Sequence, residues 1–387
     1  MRSIEIFSGA GGLALGLEGA GFESVALVER NRDACATLRL NRPCWNVIEA
    51  DIREIDFRSF GAVDLVAGGP PCQPFSMGGK ANGYEDHRDM FPQAVRAVRE
   101  LRPGAFLFEN VRGLLRPAFS NYVEYIKLQF MYPDFPISKN ASWEVNLQRL
   151  QKHSNSAKPA SELRYNVSIQ LADAANYGVP QHRHRVFFVG FRSDLESKWF
   201  FPSPTHTEAE LWRAQFSEAT YWKEHGLKVP SYPGPALRPQ LQQTVIPGLF
   251  AGPARWRTVR DAMAGLGDPG VKSVWQNHVF QPGAKSYPGH TGSPLDEPAK
   301  ALKAGDHGVP GGENMMRYPD GTVRYFTVRE SARIQTFPDN YIFSGSWTES
   351  MRQLGNAVPV ALAEAVASSI ASHLQPYGRR SHLQSAR

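Results

Sequence analysis

Of the three cysteines in the 387-residue sequence, Cys72 alone stands where a thiol could serve as a nucleophile. It lies in GGPPCQPFS, residues 68–76, directly after the strand-like segment DLVA. Two glycines and two prolines deny this stretch regular backbone pairing, so the thiol is predicted to be presented on a stiff, extended turn. A packing thiol sits inside an apolar pattern, which describes Cys35, beside Ala34 and Leu38, and Cys44, just ahead of a strand, far better. The run after Cys72, SMGGKANGYEDHRD, is polar and glycine-rich and suits a lid over a substrate.

An acid and two arginines could complete the chemistry. Glu109, in ENV, follows the apolar strand AFLF. Apolar surroundings favour the protonated form of a carboxyl group, so Glu109 could hold or share a proton near neutral pH. The plainer alternative is a loop carboxylate that caps the next turn. In QHRHR, residues 181–185, strand alternation puts Arg183 and Arg185 on one side and His182 and His184 on the other. Two guanidinium groups directed at one point suit a carboxylate or a base carbonyl. The histidines have no cysteine or carboxylate cluster at ligand spacing, so no metal is expected.

A third group of residues points to a nucleotide-like ligand. FSGAGG comprises Phe7, Ser8, Gly9, Ala10, Gly11 and Gly12 and lies between a predicted strand and a predicted helix. Glycines there let the backbone turn tightly and approach a ligand. Glu29 ends the next strand, 20 residues after Gly9, where a carboxylate can accept hydrogen bonds from two ribose hydroxyls. This pair alone fits NAD as well as S-adenosylmethionine. Asp51, followed by Ile52, ends a third strand and could reach an adenine amino group or simply cap a helix.

Positioning these residues requires a sheet. Strands are predicted at 4–7, 24–28, 46–49, 63–67 and 105–109, with helices at 12–20, 32–41 and 91–101. Strict alternation implies an α/β fold with a doubly wound, mostly parallel sheet, whose ligands sit at the carboxyl ends of the strands. Gly9, Glu29, Asp51, Cys72 and Glu109 all fall at that edge. From 116 to 164 the pattern weakens into an expected insertion with some helix around 122–130, and strands return at 165–170 and 185–190. After residue 192 the sequence turns rich in Pro, Gly, Trp and His, and alternation is lost until about residue 325. The expected organisation is a catalytic and cofactor-binding domain over 1–192, completed by 351–375, and a second, smaller, irregular domain with a hinge over 193–350. A helix over 360–374 closes the chain, and 376–387 reads as a disordered tail.

Composition narrows the class. A content of 42% hydrophobic and 21% charged residues, with a mean hydropathy of -0.38, describes a globular chain rather than a disordered or membrane-spanning one. The longest apolar runs are too short for a bilayer, and the first residues lack the apolar core of a secretory signal, so a cytoplasmic chain is expected. Three cysteines cannot all pair, which fits a reducing compartment. The net charge of +6 divides as +3 for residues 1–192, zero for 193–349 and +3 for 350–387. No polybasic arm exists, and a nucleic-acid face would have to arise from folding.

FSGAGG, Glu29, Asp51, GGPPCQPFS, ENV, QHRHR, then RESARIQTFP at 329–338 and GNAVP at 355–359, resemble in order the motif series of the cytosine-C5 DNA methyltransferases of bacterial restriction-modification systems. The resemblance covers nearly the whole chain apart from 116–164 and most of 193–325. It implies a Rossmann-like fold that binds S-adenosylmethionine and releases S-adenosylhomocysteine. It assigns Cys72 as the nucleophile toward C6 of a flipped-out cytosine and Glu109 as the partner of N3. Arg185 falls to the base carbonyl, with Arg183 bracing Glu109. The cofactor falls to residues 7–12, Glu29, Asp51, Ile52, Gly69 and Pro70, with Asn356, Ala357 and Val358 returning from the far end to complete the pocket. Residues 193 to about 325 become the target recognition domain, where Arg255, Arg257 and Lys303 are candidate base readers that could equally be ordinary surface charges. RESARIQTFP is expected to organise this domain. Double-stranded DNA is the expected partner, with a monomeric enzyme and no stable complex with a cognate restriction endonuclease.

Three rivals differ in class. An RNA methyltransferase of the tRNA-modifying type would carry a Cys-Phe-Thr tripeptide in the second domain, and no cysteine follows Cys72. An NAD-dependent oxidoreductase explains FSGAGG and Glu29 but leaves GGPPCQPFS without a role. A DNA-binding regulator would not need the motif residues intact.

Overall fold

Branched and aromatic runs of three to nine residues alternate with helices through the first half of the chain, and in the computed structural model they form one seven-stranded sheet. The structure describes residues 1–71, 90–156, 162–230, 252–270, 273–304 and 312–384. The strands are β1 (Arg2–Ile6), β2 (Glu23–Glu29), β3 (Val47–Glu49), β4 (Leu65–Gly68), β5 (Ala105–Val111), β6 (Tyr165–Asp173) and β7 (His184–Arg192). Helices α1 (Gly12–Gly19), α2 (Arg32–Asn41), α3 (Phe91–Leu101), α4 (Ser120–Met131) and α5 (Trp143–Ser154) connect them. The strand order is β3-β2-β1-β4-β5-β7-β6. The chain leaves β1 toward one edge and returns beside it as β4, so the order reverses between these two strands, which is where open α/β sheets bind ligands. Pairing is parallel from β3 through β5, and β7 runs antiparallel to β5.

Contacts divide the chain into two compact units, residues 1–172, 184–202 and 363–387 in one, 173–183 and 203–362 in the other. The boundaries differ from those read in the sequence, since 173–183 and 351–362 group with the second unit. In the first unit, one face of the sheet is covered by α3 and α4 around Phe91, Phe106, Phe108, Phe130 and Phe188, all buried. The rings of Phe106 and Phe130 stack at 4.7 Å and those of Phe108 and Phe130 at 5.1 Å. Each such side chain contributes about 2–3 kcal/mol of burial. On α1 the fit to the closing helix (Val360–Gln384) is so tight that a β-carbon on Gly16 would lie 2.4 Å from that of Ala363.

Two readings of the sequence change here. The described part of 116–164 is more regular than expected: α4 and α5 pack on each other and join the main core through Tyr122, Tyr125, Leu147 and Leu150. Their apolar stripe is written in tyrosine and tryptophan between polar residues, which weakens its periodicity. The closing helix also continues through Gln384, past Leu374 and into the expected tail. The stretch Trp347–Leu374 is long and apolar enough by composition to cross a membrane, but it is two helices with a break at 357–359, and most of it is buried in the fold.

The second unit has a three-stranded sheet of Ser293–Pro294, Met315–Arg317 and Val323–Tyr325 and a small core built on Val259, Leu302, Met316, Phe326 and Ile334. RESARIQTFP organises it. Thr327 and Glu330 form a capping box at the start of helix Val328–Ile334, and Glu330 pairs with Arg324 at 2.6 Å. The guanidinium of Arg329, fully buried, donates to the carbonyls of Gln276, Pro338 and Tyr341.

Glu5 interrupts the apolar centre of β1. It is 2% exposed, and its Oε2 has no hydrogen-bond partner. Burial, and then the charge of Glu29, push its carboxyl well above the usual carboxylate range. The folded state therefore holds this proton more tightly than the unfolded chain does, and the stability present at acid pH is lost as pH rises. Unfolding measured by urea titration should show Glu5→Gln gaining on the wild type as pH rises above the ordinary carboxylate range of about 4. A difference that does not vary with pH would contradict this.

Candidate active site

Register, more than any single contact, assembles the site in the first unit. Ile48 pairs with Val28, Val28 with Ile6, Ile6 with Gly68 and Gly68 with Phe108, which makes one row across five parallel strands. One residue beyond this row, at the carboxyl edge, stand Glu29, Phe7, Gly69 and Glu109.

The glycine turn is held open by its backbone. Phe7, Gly9 and Gly11 have φ values of 58°, 53° and 85°, in the left-handed region. For Gly9 that region is free of the penalty a β-carbon brings. Nothing lies within 4 Å of the position a β-carbon on Gly9 would take, so the turn faces open space. Ser8 N donates to the carbonyl of Val28 at 3.2 Å and Gly11 N to that of Ser8 at 3.0 Å. Ala10, Gly11 and Gly12 are buried as α1 begins. The Glu29 carboxylate accepts from Gly9 N at 2.8 Å and from Asn31 N at 2.7 Å. Each oxygen keeps further lone pairs, so the group is fixed in place with acceptor capacity remaining.

Of the two roles considered for Asp51, the cap is present in the structure. It caps the short 3-10 turn Ile52–Glu54 by accepting from Arg53 N at 3.0 Å. The Arg53 side chain binds the same carboxylate at 2.9 and 2.5 Å, and Arg30 lies 3.9 Å away. These hydrogen bonds, Arg53's first, hold the carboxyl below the usual carboxylate range. Ile52 is buried beneath it.

The approach to Cys72 is a backbone-on-backbone contact. A β-carbon on Gly68 would lie 2.2 Å from the Ile6 carbonyl oxygen, so only glycine fits. A β-carbon on Gly69 would stand 3.4 Å from Glu109 Oε2. Asn110, 2% exposed, donates from Nδ2 to the Pro70 carbonyl at 3.1 Å. Asn110 is the residue of ENV that sequence reasoning passed over, and its signal was its place beside Glu109 on a buried strand. Cys72 itself, and the expected lid at 73–89, lie outside the described residues.

Glu109 sits within β5 rather than after it and is 7% exposed. Arg185, which faces Val111 across β5 and β7, lies diagonally against Glu109 with Nε on Oε1. Burial pushes the Arg185 guanidinium down, and the Glu109 charge opposes that.

Arg183 directly precedes β7. Its backbone N donates to Asp173 Oδ1 at 3.0 Å. Its guanidinium, 1% exposed, donates to the carbonyls of Leu302, Gly355 and Ala357 at 2.9, 2.6 and 2.9 Å. Gln335 Nε2 adds a bond to the Leu354 carbonyl at 2.6 Å. Gly355 is required there, because a β-carbon would lie 2.3 Å from Ala304 N. Asn356 is exposed, and Ala357 and Val358 are buried, all three in the second unit. His182 binds Asp173 at 2.8 Å and stands edge-on to Trp256 at 4.8 Å. Among the described residues no group of three or more His, Cys, Asp or Glu could hold a metal.

Two of the three candidate base readers form ion pairs within the second unit. Arg255 pairs with Asp261 and Glu224, both at 2.8 Å, under Tyr221, and Lys303 pairs with Glu313 at 2.6 Å. Arg257 is exposed.

A doubly wound sheet with a glycine turn, an acidic strand end and a buried Glu–Arg pair along one edge defines an α/β enzyme of the nucleotide-binding class. The model of the C-5 cytosine-specific DNA methylase family matches residues 1–141, 145–250 and 253–372, and the chain belongs to this family. It is 35% identical to the type II methyltransferase M.NgoMIV of Neisseria gonorrhoeae over 380 residues, covering 96% of this chain and 98% of that protein. It is 34% identical to M.Eco47II of Escherichia coli, covering 97% of this chain and 80% of that one. Its fold is similar to that of a prophage-encoded DNA modification methyltransferase from E. coli, with TM-score 0.59, 21% identity and 97% and 99% of the two chains covered. The S. pombe Dnmt2 methyltransferase is similar too, with TM-score 0.55, 16% identity and the same coverage.

Removing Arg185 should leave a buried carboxylate without its cation. Arg185→Met is expected to cost about 3 kcal/mol in urea unfolding, and adding Glu109→Gln to return part of it. Additive losses would mean that the pair does not couple.

Proposed function

We propose that the chain transfers a methyl group from S-adenosylmethionine to C5 of a flipped-out cytosine in a short duplex DNA sequence, through a covalent bond between Cys72 and C6. The single row that carries the glycine turn, Glu29, the Gly69–Pro70 bend leading to Cys72, and Glu109 is the observation behind this reading. The donor fits the residues present: the turn at Gly9 faces open space, and Glu29 is fixed beside it with acceptors to spare for ribose hydroxyls. Asp51 and Ile52 would take the adenine, Phe7 would stack on it, and residues 8–12 with Gly69 and Pro70 would line the rest. When bound, S-adenosylmethionine supplies an electrophilic methyl group and becomes S-adenosylhomocysteine.

C5 of cytosine is a poor nucleophile until a group adds at C6. The Cys72 thiolate forms the S–C6 bond, and the ring electrons shift toward C5 and N3. Glu109, in its protonated form, donates a hydrogen bond or its proton to N3 and so stabilises that density, held in orientation by Arg185, which also reaches the base carbonyl. Once C5 carries the methyl group, loss of its proton restores the C5–C6 double bond and expels Cys72 as thiolate. Attack at C6 is impossible inside a stacked duplex, so the base must be flipped out. Arg183 acts on this reading as a positioning residue that clamps the GNAVP turn rather than as a group that touches the base.

The second unit reads the DNA sequence from the major groove. The relatives named above are type II methyltransferases, which supports a role as the modification enzyme of a restriction-modification system or as an orphan methylase. The enzyme acts as a monomer in the cytoplasm, without a membrane and without a stable complex with any restriction endonuclease.

Cys72→Ser should abolish methyl transfer and leave DNA binding within about twofold of wild type, because the hydroxyl is too weak a nucleophile for C6. DNA with 5-fluorocytosine at the target should trap a covalent adduct that survives denaturing electrophoresis, since fluorine cannot leave as the proton does. Turnover by the serine variant would end the covalent mechanism.

A further inference from the structure

We infer that Arg96 on α3 is a positioning residue for adenine recognition, acting through the turn that carries Asp51 and Ile52. This inference rests on the cofactor reading proposed above. The turn needs an anchor from elsewhere. β3, which leads into it, is three residues long and forms the edge of the sheet. The turn Ile52–Glu54 has few internal hydrogen bonds, Glu54 N to the Asp51 carbonyl at 3.0 Å and Ile55 N to the Ile52 carbonyl at 3.3 Å. A segment this short does not fix its own backbone.

Arg96 supplies the missing constraint from more than 40 residues away in sequence. Its Nη2 donates to the Ile52 carbonyl at 2.7 Å and its Nη1 to the Ile55 carbonyl at 2.9 Å. The guanidinium lies 4.6 Å above the ring of Phe57, which is fully buried. Its Nε donates to Gln93 Oε1 at 2.8 Å, and Glu100 stands 3.4 Å from Nη1. One planar fork thus grips both carbonyls of the turn while its own plane is fixed by Phe57 and Gln93. Only arginine has this geometry, because a lysine ammonium neither forks nor stacks flat. The Asp51 carboxylate is oriented from the same turn, through Arg53 N at 3.0 Å. A shift of the turn therefore rotates the acceptor offered to an adenine amino group, whereas Glu29, held by Gly9 and Asn31, stays where it is.

This separates Arg96 from a residue that merely supports the fold. Loss of its fork should weaken recognition of the adenine amino group specifically. Isothermal titration with S-adenosylhomocysteine and with S-inosylhomocysteine, which has an oxo group in place of that amino group, measures this as a ratio of affinities. Arg96→Met should weaken S-adenosylhomocysteine about tenfold, the loss of one charge-assisted hydrogen bond. It should leave S-inosylhomocysteine within about twofold, so the selectivity falls, and DNA affinity should stay at the wild-type value. Arg96→Lys should lose selectivity similarly, and it carries the test alone if the methionine variant does not fold. An equal weakening of both ligands, or no weakening, overturns the inference. Asp51→Ala tells this failure from failure of the cofactor reading. If Asp51→Ala also leaves the selectivity unchanged, Asp51 does not read the adenine and the reading itself is wrong. If Asp51→Ala abolishes selectivity while both Arg96 variants keep it, only the role of Arg96 falls.

Discussion

The register between β1 and β4 is the constraint on which the rest of the site depends. Ile6 and Gly68 are paired so closely that no side chain can stand at Gly68, because the Ile6 carbonyl occupies its place. From this contact the row extends to Val28 and Ile48 on one side and to Phe108 on the other. A slip of one residue would turn every side chain to the opposite face of the sheet. Glu29, Phe7, Gly69 and Glu109 would then no longer share an edge. The glycine turn, the approach to Cys72 and the acid are thus assembled by main-chain pairing.

Charge is distributed along that edge with a division of labour among arginines. Arg185 lies on Glu109, Arg53 on Asp51 and Arg96 on the turn beneath Asp51. Arg183 holds three carbonyls of the second unit, including two of the GNAVP turn. Guanidinium groups suit these positions because they stay charged when buried and bind two acceptors at once. These carboxylates are in this way fixed in place, which on the proposed function lowers the cost of binding.

Much of this was legible in the sequence, for physical reasons that also explain the gaps. α2 and α3 fall where periodicity put them, at 32–41 and 91–101, because each has one apolar stripe and an unbroken turn repeat. The glycine turn, Glu29 and the Gly68–Gly69 bend were readable because glycine and a strand-end acid have few other reasons to stand there. α4 and α5 were not, since their buried faces are made of Tyr122, Tyr125 and Trp143 among polar neighbours. β7 begins at His184, one residue after Arg183, whose acceptors on Leu302, Gly355 and Ala357 are far away in sequence. Asn110 and Arg96 act on backbone carbonyls far away in sequence; the place of Asn110 beside Glu109 marks it as a residue of the site, but neither local context announces which acceptor is reached.

The central claim is that this chain methylates cytosine at C5 in a defined DNA sequence. Bisulfite sequencing of DNA from cells that express the chain, compared with cells that lack it, tests that claim most directly. New 5-methylcytosine confined to one short motif, and absent when Cys72 is replaced, is the predicted result. Unchanged methylation at every cytosine, with the folded protein present, would contradict it.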